Sequence, residues 1–193
     1  MKRISMGQMN NLISLIIPCY NEEESIPVLH EELCRVSRQL SDYEFEFLFI
    51  DDGSSDRTID VIRKLTGKDI RVKYYSFSRN FGKEAAMYAG FVNAKGNYVA
   101  VMDADMQDPP TLLPQMLELL VNGEYDSVAT RRIDRSGEPK VRSFFAKMFY
   151  GIINRISDAD IMDGARDFRL MKRDMVNAIL AMSEYNRFSK GIF

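Results

Sequence analysis

The sequence predicts an α/β protein in which a parallel sheet is wrapped by helices. Two observations support this fold class: short apolar segments alternate with longer helical segments, and clusters of polar residues follow several of the apolar segments. Such alternation is typical of parallel sheets, which bind ligands outside the carboxyl ends of their strands. With 193 residues, of which 46% are hydrophobic, the chain can bury one full α/β core.

The predicted strands are short and rich in branched or aromatic residues. LISLIIPCY is continuously apolar, as expected of a strand that is covered on both faces. FEFLFIDDGSSD predicts a strand followed by a turn. The three later strands are predicted in VKYYSFSRN, NYVAVMDAD and YDSVATRR.

A helix is expected after each of the first four strands. The first would begin near Asn21, where Asn can cap and Glu24 completes a capping-box-like pattern, and would end near Leu40. The next three are predicted in DRTIDVIRKLTG, in FGKEAAMYAGFVNAKG ending at Gly96, and in PPTLLPQMLELLVNG, which prolines open. Beyond Arg135 the alternation ends. There RSFFAKMFYGIINRIS predicts a helix whose apolar stripe faces either the core or a membrane.

The formal net charge of −2 argues against nucleic acid as the main partner. The charge is unevenly distributed, however. From Arg131 to Arg173 there are 11 Lys and Arg against 6 Asp and Glu, an excess of +5, which leaves −7 on the rest of the chain. This basic region could meet an anion or a membrane surface, or it could be a solvated face.

Neither cysteine spacing nor hydropathy points to an exported protein. Cys19 and Cys34 fall on different predicted elements without metal or redox spacing, which favours reduced thiols in the cytosol. No run reaches the roughly 18 apolar residues that a membrane span needs, and the first 11 residues lack the apolar centre of a signal peptide. We expect a soluble, intracellular chain. Its end at RFSKGIF, without a clear terminal cap, suggests that it was cut from a longer protein.

Three polar clusters follow predicted strands: PCYNEE, DDGSSD and DADMQD. Acidic strand ends that converge on one rim are unfavourable without a cation or donor groups. Alternate residues of an extended chain project to one side, so Asp103 and Asp105 would face one spot. Together with Gln107 they supply the hard oxygen ligands that Mg²⁺ or Mn²⁺ accepts. A capped turn explains DDGSSD about as well as a site does.

Several other chemistries are disfavoured. There is no GxGxxG after the first strand and no Walker A sequence, which argues against dinucleotide binding and P-loop ATP hydrolysis. The single histidine, His30, falls in the middle of the first predicted helix, where it is expected to be solvated. Without a second histidine, a Ser-His-Asp site is improbable.

Five motifs together resemble the inverting family 2 glycosyltransferases of GT-A fold, and more narrowly the branch of dolichyl-phosphate mannosyltransferases and undecaprenyl-phosphate glucosyltransferases. They are PCYNEE, DDGSSD, SRNFGKEAAMYAG, DADMQDPP and GARDFRLM. The resemblance runs from about Leu12 to Phe193 and implies a mostly parallel central sheet flanked by helices. Residues 1–11 would be an N-terminal extension, residues 12–132 the nucleotide-sugar-binding half and residues 133–193 the acceptor half. A membrane region would follow.

The resemblance implies roles for the matching residues. Asp52 would accept a hydrogen bond from the base imide, Ile50 would line the base pocket, and Lys83 and Arg131 would contact the diphosphate. The implied donor-binding set is Pro18, Tyr20, Asn21, Glu22, Ile50, Asp52, Lys83, Asp103, Ala104, Asp105 and Arg131. The implied metal ligands are Asp103, Asp105 and Gln107.

The ionisation state of the acceptor decides which groups its binding site must provide. A monoalkyl phosphate has a second pKa near ~6 and needs little help from a base. It does need donors that hold an anion beside an anionic diphosphate, a task that suits arginine. The candidates are Arg131, Arg135, Arg142, Arg166 and Arg169. Asp167 is expected to face the acceptor as base or as orienter, and would join Asp103 and Asp105 as catalytic residues. Alternatively, it only pairs with a neighbouring arginine.

The sequence thus predicts a metal-dependent enzyme that moves one sugar, glucose by resemblance, from a UDP-sugar to polyprenyl phosphate with inversion. We expect it at the cytoplasmic face of the cell membrane. GDP-mannose as donor, a polysaccharide or protein hydroxyl as acceptor, and a non-catalytic nucleotide-sugar-binding module are the alternatives. Mg²⁺ and Mn²⁺ both fit, and a homo-oligomer is possible.

Overall fold

A computed structural model of the chain describes residues 11–131 and 165–182. The helix predicted in RSFFAKMFYGIINRIS lies outside these ranges, as do Arg135 and Arg142. The strands are β1 (Leu12–Cys19), β2 (Glu44–Asp51), β3 (Val72–Ser76), β4 (Tyr98–Val101), β5 (Ser127–Arg131) and β6 (Ala165–Lys172). The helices are α1 (Ser25–Gln39), α2 (Thr58–Thr66), α3 (Lys83–Asn93), α4 (Leu113–Asn122) and α5 (Arg173–Ala181), with a 3-10 turn at Pro110–Leu112.

The strands form one six-stranded sheet in the order β3-β2-β1-β4-β6-β5. The contacts of β1 with β2 and β4, and of β2 with β3, are parallel, which confirms the predicted fold class. In contrast, β6 is antiparallel to both of its neighbours and separates β4 from β5. This strand contains most of GARDFRLM, a segment that the sequence did not assign to the sheet. Its Phe168 and Met171 are buried in different core clusters, as a central strand requires.

Both faces of the sheet are covered. Along β1, Ile13, Leu15 and Ile17 pack with α1, α2 and α4, whereas Ile16 lies in the cluster on the opposite face, with α3 and α5. The alternation follows from the two-residue repeat of a strand. It explains why apolar residues occupy both faces of this segment instead of alternating with polar residues, with Ser14 as the buried polar exception. Among the described residues, none of the helices is both long and apolar enough to span a bilayer.

The predicted start of the first helix was wrong. The helix begins at Ser25, and Asn21 does not cap it. Asn21 has a left-handed backbone, with φ of 56°. Its Oδ1 accepts a hydrogen bond from the Ser55 N–H at 2.9 Å. The Asn21 side chain is thus used to bind the loop after β2 and does not cap α1.

The predicted end of the third helix was also wrong. The helix ends at Asn93, three residues before Gly96. The Gly96 N–H donates to Ser14 Oγ at 2.7 Å, and a Cβ on Gly96 would lie 2.6 Å from the Leu12 carbonyl oxygen. This glycine therefore lets the chain pass directly against β1.

The loops after β1 and β2 are tied together at the carboxyl edge of the sheet. The Glu22 N–H donates to Thr58 Oγ1 at 2.7 Å, and Glu23 Oε2 accepts from the Arg57 N–H at 3.0 Å. These bonds make a single rim of two loops that are more than 30 residues apart in sequence. The rim is the frame of the site described next.

Candidate active site

A cavity of about 320 Å³ opens at the carboxyl ends of the parallel strands. Its volume lies within the range of small-molecule sites, which is roughly 300 to 1,000 Å³. The lining comes from the end of β1, from the loops after β1, β2, β3 and β4, and from the first residue of α3. It consists of Pro18, Cys19, Tyr20, Glu22, Asp52, Asn80, Gly82, Lys83, Asp103, Ala104 and Asp105. Eight of these residues were predicted as donor-binding residues from the sequence.

The charge of this lining is unbalanced. It contains four carboxylates, on Glu22, Asp52, Asp103 and Asp105, and one lysine, Lys83. Within the described residues, no arginine lines the cavity. An anionic ligand could not enter such a site favourably without a bound cation, because like charges at close range repel.

Asp52 is only 3% exposed and holds the beginning of α3. Its Oδ1 accepts a hydrogen bond from the Phe81 N–H at 2.7 Å, and its Oδ2 accepts from the Gly82 N–H at 2.9 Å. The neighbouring Gly53, with φ of +70°, lies directly against the backbone of Arg79. Asp52 therefore fixes the position at which α3 starts, a role that the sequence did not predict.

Lys83 is the first residue of α3 and bridges two acidic residues. Its Nζ lies 2.5 Å from Asp103 Oδ1 and 2.5 Å from Asp167 Oδ2. The sheet explains the meeting, because Val101 pairs with Arg169 at the end of β4, and two residues further Asp103 comes opposite Asp167. Burial lowers the pKa of Lys83, but its hydrogen bonds to Asp103 and Asp167 outweigh that effect and leave the pKa above its ordinary value.

The segment after β4 is a turn and not the extended chain that the sequence predicted. The strand ends at Val101, and the backbone turns at Ala104 and Asp105. Both Asp103 and Asp105 still line the cavity. Gln107, predicted as a third metal ligand, is exposed and outside the lining; its backbone N–H donates to Asp105 Oδ1 at 3.1 Å. That bond stabilises the turn, and the role of the Gln107 side chain as a metal ligand stays a prediction.

Two other predicted donor-binding residues lie away from the cavity. Ile50 is fully buried in the core cluster under α3, because its strand position faces the sheet interior. Asn21 holds Ser55, as described above, and is not part of the lining. Their donor-binding roles stay predictions.

The predicted acceptor arginines are described only in part. Arg169 lies on β6, two residues from Asp167 and so on the same face, and its Nη1 donates to Ser127 Oγ at 3.3 Å. Burial lowers the pKa of Arg169, and the Asp167 carboxylate opposes that shift. The backbones of Arg131 and Arg166 belong to β5 and β6, but their side chains lie outside the described part of the structure. The phosphate-binding role stays a prediction.

Three lining residues were missed by sequence reasoning: Cys19, Asn80 and Gly82. Burial raises the pKa of the Cys19 thiol well above its ordinary value, assisted by the nearby Glu22, Asp51 and Asp103 carboxylates. The other two lie in SRNFGK, where a glycine stands at the start of a predicted helix. In the structure Gly82 has φ of +96°, and its N–H donates to Asp52 Oδ2. A glycine adopts such a positive φ without the steric cost that a side chain would bring.

A second cluster of metal-ligand types lies between α1 and β3. His30 Nε2, Cys34 Sγ and a carboxylate oxygen of Asp69 lie within 4.8 Å of one another. Arg71 already provides a cation to this cluster: its Nη2 donates to Asp69 Oδ2 at 2.7 Å and to Cys34 Sγ at 3.0 Å. The hydrogen bonds from Arg71 are the main reason that the pKa of Asp69 is lowered. The expectation of a solvated His30 was wrong, since its side chain is 13% exposed.

Comparisons with known proteins identify the family. A family model described as "Glycosyl transferase family 2" matches residues 14–180. The chain is 48% identical over 182 residues, or 94% of its length, to "Putative glycosyltransferase CsbB" of Bacillus subtilis, of which it covers 54%. It is 42% identical over 180 residues, or 93% of its length, to "Prophage bactoprenol glucosyl transferase homolog" of Escherichia coli, of which it covers 58%. The chain thus spans little more than half the length of these relatives.

Solved structures agree on the fold. A structure of glucosyl-3-phosphoglycerate synthase from Mycobacterium tuberculosis, in complex with Mn²⁺, uridine diphosphate and phosphoglyceric acid, matches with a TM-score of 0.57 at 21% sequence identity. The match covers 85% of this chain and 56% of that one. At this identity the likeness concerns the architecture alone.

Proposed function

The chain belongs to glycosyl transferase family 2, and on that premise we propose that it transfers one sugar, glucose, from a UDP-sugar to a polyprenyl phosphate, with inversion and with a divalent metal ion. The observation that carries the proposal is the cavity at the strand ends, with four carboxylates around one lysine. The relatives named bactoprenol glucosyl transferase support both the sugar and the lipid acceptor. The reaction would take place at the cytoplasmic face of the membrane.

The donor set of the cavity fits a hard divalent cation. Asp103 and Asp105 present carboxylate oxygens, which both Mg²⁺ and Mn²⁺ accept, and the excess negative charge of the lining favours a cation beside an anionic donor. When bound, the metal supplies Lewis-acid stabilisation of the departing diphosphate. Gln107 is left out of this proposal because its side chain is exposed outside the lining.

The donor nucleotide would lie between Tyr20 and Asp52. Tyr20 is 47% exposed at the cavity, so its ring is free to stack on a base. Asp52 already accepts two backbone hydrogen bonds, but a carboxylate has about four lone-pair positions and can also accept one from a base imide. Lys83 would contact the diphosphate.

The acceptor phosphate would approach Asp167, which contacts the same ammonium of Lys83 as Asp103 does. A phosphate that is already ionised needs orientation more than deprotonation. Asp167 would therefore orient the arginines that hold the phosphate, from the set Arg131, Arg135, Arg142, Arg166 and Arg169. Sugar transfer to a hydroxyl acceptor is the alternative, and there Asp167 would act as the base.

The test is release of the nucleoside diphosphate, UDP or GDP, by the full-length protein in detergent. UDP-glucose, other UDP-sugars and GDP-mannose are each supplied with Mg²⁺ or Mn²⁺, with and without undecaprenyl phosphate. We expect UDP release that requires both UDP-glucose and the lipid phosphate. Asp105→Ala should abolish it, whereas Asp126→Ala, which removes an exposed carboxylate paired with Lys172 on the opposite edge of the sheet, should not. Turnover with a hydroxyl acceptor but none with the lipid phosphate would refute the acceptor assignment. Donor binding without any turnover would favour a binding module.

A further inference from the structure

The ammonium group of Lys83 lies between a carboxylate of the proposed donor site and a carboxylate of the proposed acceptor site. Lys83 Nζ is within 2.5 Å of a carboxylate oxygen on Asp103, which belongs to the donor side, and of one on Asp167, which belongs to the acceptor side. The distance along the chain between Lys83 and Asp167 is 84 residues, so the contact exists only in the folded sheet. Through its two contacts, Lys83 links the turn after β4 to β6.

The position of this ammonium is fixed at one end and adjustable at the other. Its Cα lies at the beginning of α3, which the two backbone hydrogen bonds to Asp52 hold in place. Its side chain has a flexible four-carbon stem and is 39% exposed. The ammonium can therefore move within the cavity while its backbone stays still.

We propose that Lys83 is a displaceable counter-cation: in the donor-free site it neutralises Asp103 and Asp167, and it gives up Asp103 when a divalent metal and the donor diphosphate bind. This inference deepens the proposed function and rests on it. An ammonium and a divalent cation on the same carboxylate repel one another, so the two compete for Asp103. The donor diphosphate gives the displaced ammonium a new anionic partner.

The displacement has a consequence for the acceptor side. While Lys83 bridges the two carboxylates, Asp167 is paired and faces a cation instead of the acceptor. When Lys83 moves to the diphosphate, it leaves Asp167 as well as Asp103, and Asp167 is then released to orient the arginines that hold the incoming phosphate. Lys83 is thus a positioning residue that couples donor binding to the readiness of the acceptor side, and it favours binding of the donor first.

The test is the binding of Mn²⁺ alone, without nucleotide, to the full-length protein by calorimetry. Lys83→Gln should bind Mn²⁺ about 3- to 10-fold more tightly than the parent, because a partly exposed ion pair no longer competes. Lys83→Arg retains the charge and should stay close to the parent. Lys172→Gln is the matched control, since Lys172 is similarly exposed and pairs with Asp126 at the opposite edge of the sheet. Lys83→Met offers a second uncharged variant if the glutamine variant does not fold.

A second readout separates this role from a purely structural ion pair. With saturating Mn²⁺, Lys83→Gln should bind UDP about 10-fold or more weakly, because the diphosphate loses a charge-assisted donor. Opposite effects on the two ligands are expected of competition and not of a general loss of structure. Unchanged or weaker Mn²⁺ binding by Lys83→Gln, or equal tightening by Lys172→Gln, would overturn the inference. Failure of the parent to bind any nucleotide sugar would instead refute the proposed function.

Discussion

Asp52 offers the sharpest test of how the site is built, because one buried carboxylate both holds a loop and lines the cavity. Replacement by Asn keeps the size of the side chain but turns one oxygen into an N–H donor that faces a backbone N–H of Phe81 or Gly82. At least one hydrogen bond to a charged acceptor is lost, which is worth about 1.5 to 3 kcal/mol. The beginning of α3, and with it Lys83, is then free to shift.

We therefore expect Asp52→Asn to lower the free energy of unfolding by about 1.5 to 3 kcal/mol and the affinity for UDP with Mn²⁺ by about 10- to 150-fold. Urea denaturation and calorimetry measure the two quantities. Asp51→Asn is a matched control, because Asp51 is equally buried, accepts hydrogen bonds from the Ser54 N–H and the Ser76 hydroxyl, and does not line the cavity. It should change stability but leave UDP affinity within about twofold. UDP affinity of Asp52→Asn within twofold of the parent, or an equal loss in Asp51→Asn, would refute the reasoning.

Three further predictions concern other carboxylates and their neighbours. Asp105→Ala should abolish metal-dependent UDP binding in calorimetry, whereas Gln107→Ala should leave it within about twofold, and equal losses would restore Gln107 as a ligand. Burial raises the pKa of Glu46, but hydrogen bonds from Lys73, Ser14 and the Lys95 N–H outweigh that effect and leave the pKa below its ordinary value of 4.5. Its stabilisation is therefore present above pH 4.5 and is lost as the pH falls through the lower folded-state pKa, so urea titrations of Glu46→Gln should show a flatter dependence in that acidic window. Asp167→Asn should retain turnover on polyprenyl phosphate, with a pH profile of kcat/KM that follows phosphate ionisation near ~6. On a hydroxyl acceptor the same variant should lose activity by roughly 10²-fold or more. A correctly folded variant that binds donor yet is inactive on the lipid phosphate at every pH would contradict this account of the acceptor side.

The parts of the fold that the sequence predicted correctly depend on local patterns. LISLIIPCY predicts a strand that is buried on both faces, and the alternation of strands with helices then implies that neighbouring strands are parallel. Since the carboxyl ends of parallel strands meet at one edge, the three polar clusters could be brought to one site from the sequence alone. The cavity contains residues from all three.

The parts that were missed depend on partners distant in sequence. The strand β6 carries charged residues next to apolar ones, so only its pairing with β4 and β5 reveals that it is central. Asp52 bonds backbone groups 29 and 30 residues away, and no periodicity predicts such a pair. Asn21 was assigned as a cap because Asn favours helix starts, but its left-handed backbone lets it bond Ser55 in the neighbouring loop. In each case a long-range hydrogen bond outweighed a local preference.

The crowding of acidic residues at this edge is tolerated because most of them already have a donor or a cation. The Asp52 carboxylate is satisfied by two backbone N–H groups, and Asp103 and Asp167 share the ammonium of Lys83. Asp105 differs, since it is exposed and, in the part of the chain that the structure describes, accepts a neutral backbone hydrogen bond from Gln107. The negative charge that remains for an incoming cation is thus concentrated at the turn after β4. A metal that binds there would draw on Asp105 first and then compete with Lys83 for Asp103, which is why metal binding and the release of Asp167 are expected to be one coupled event.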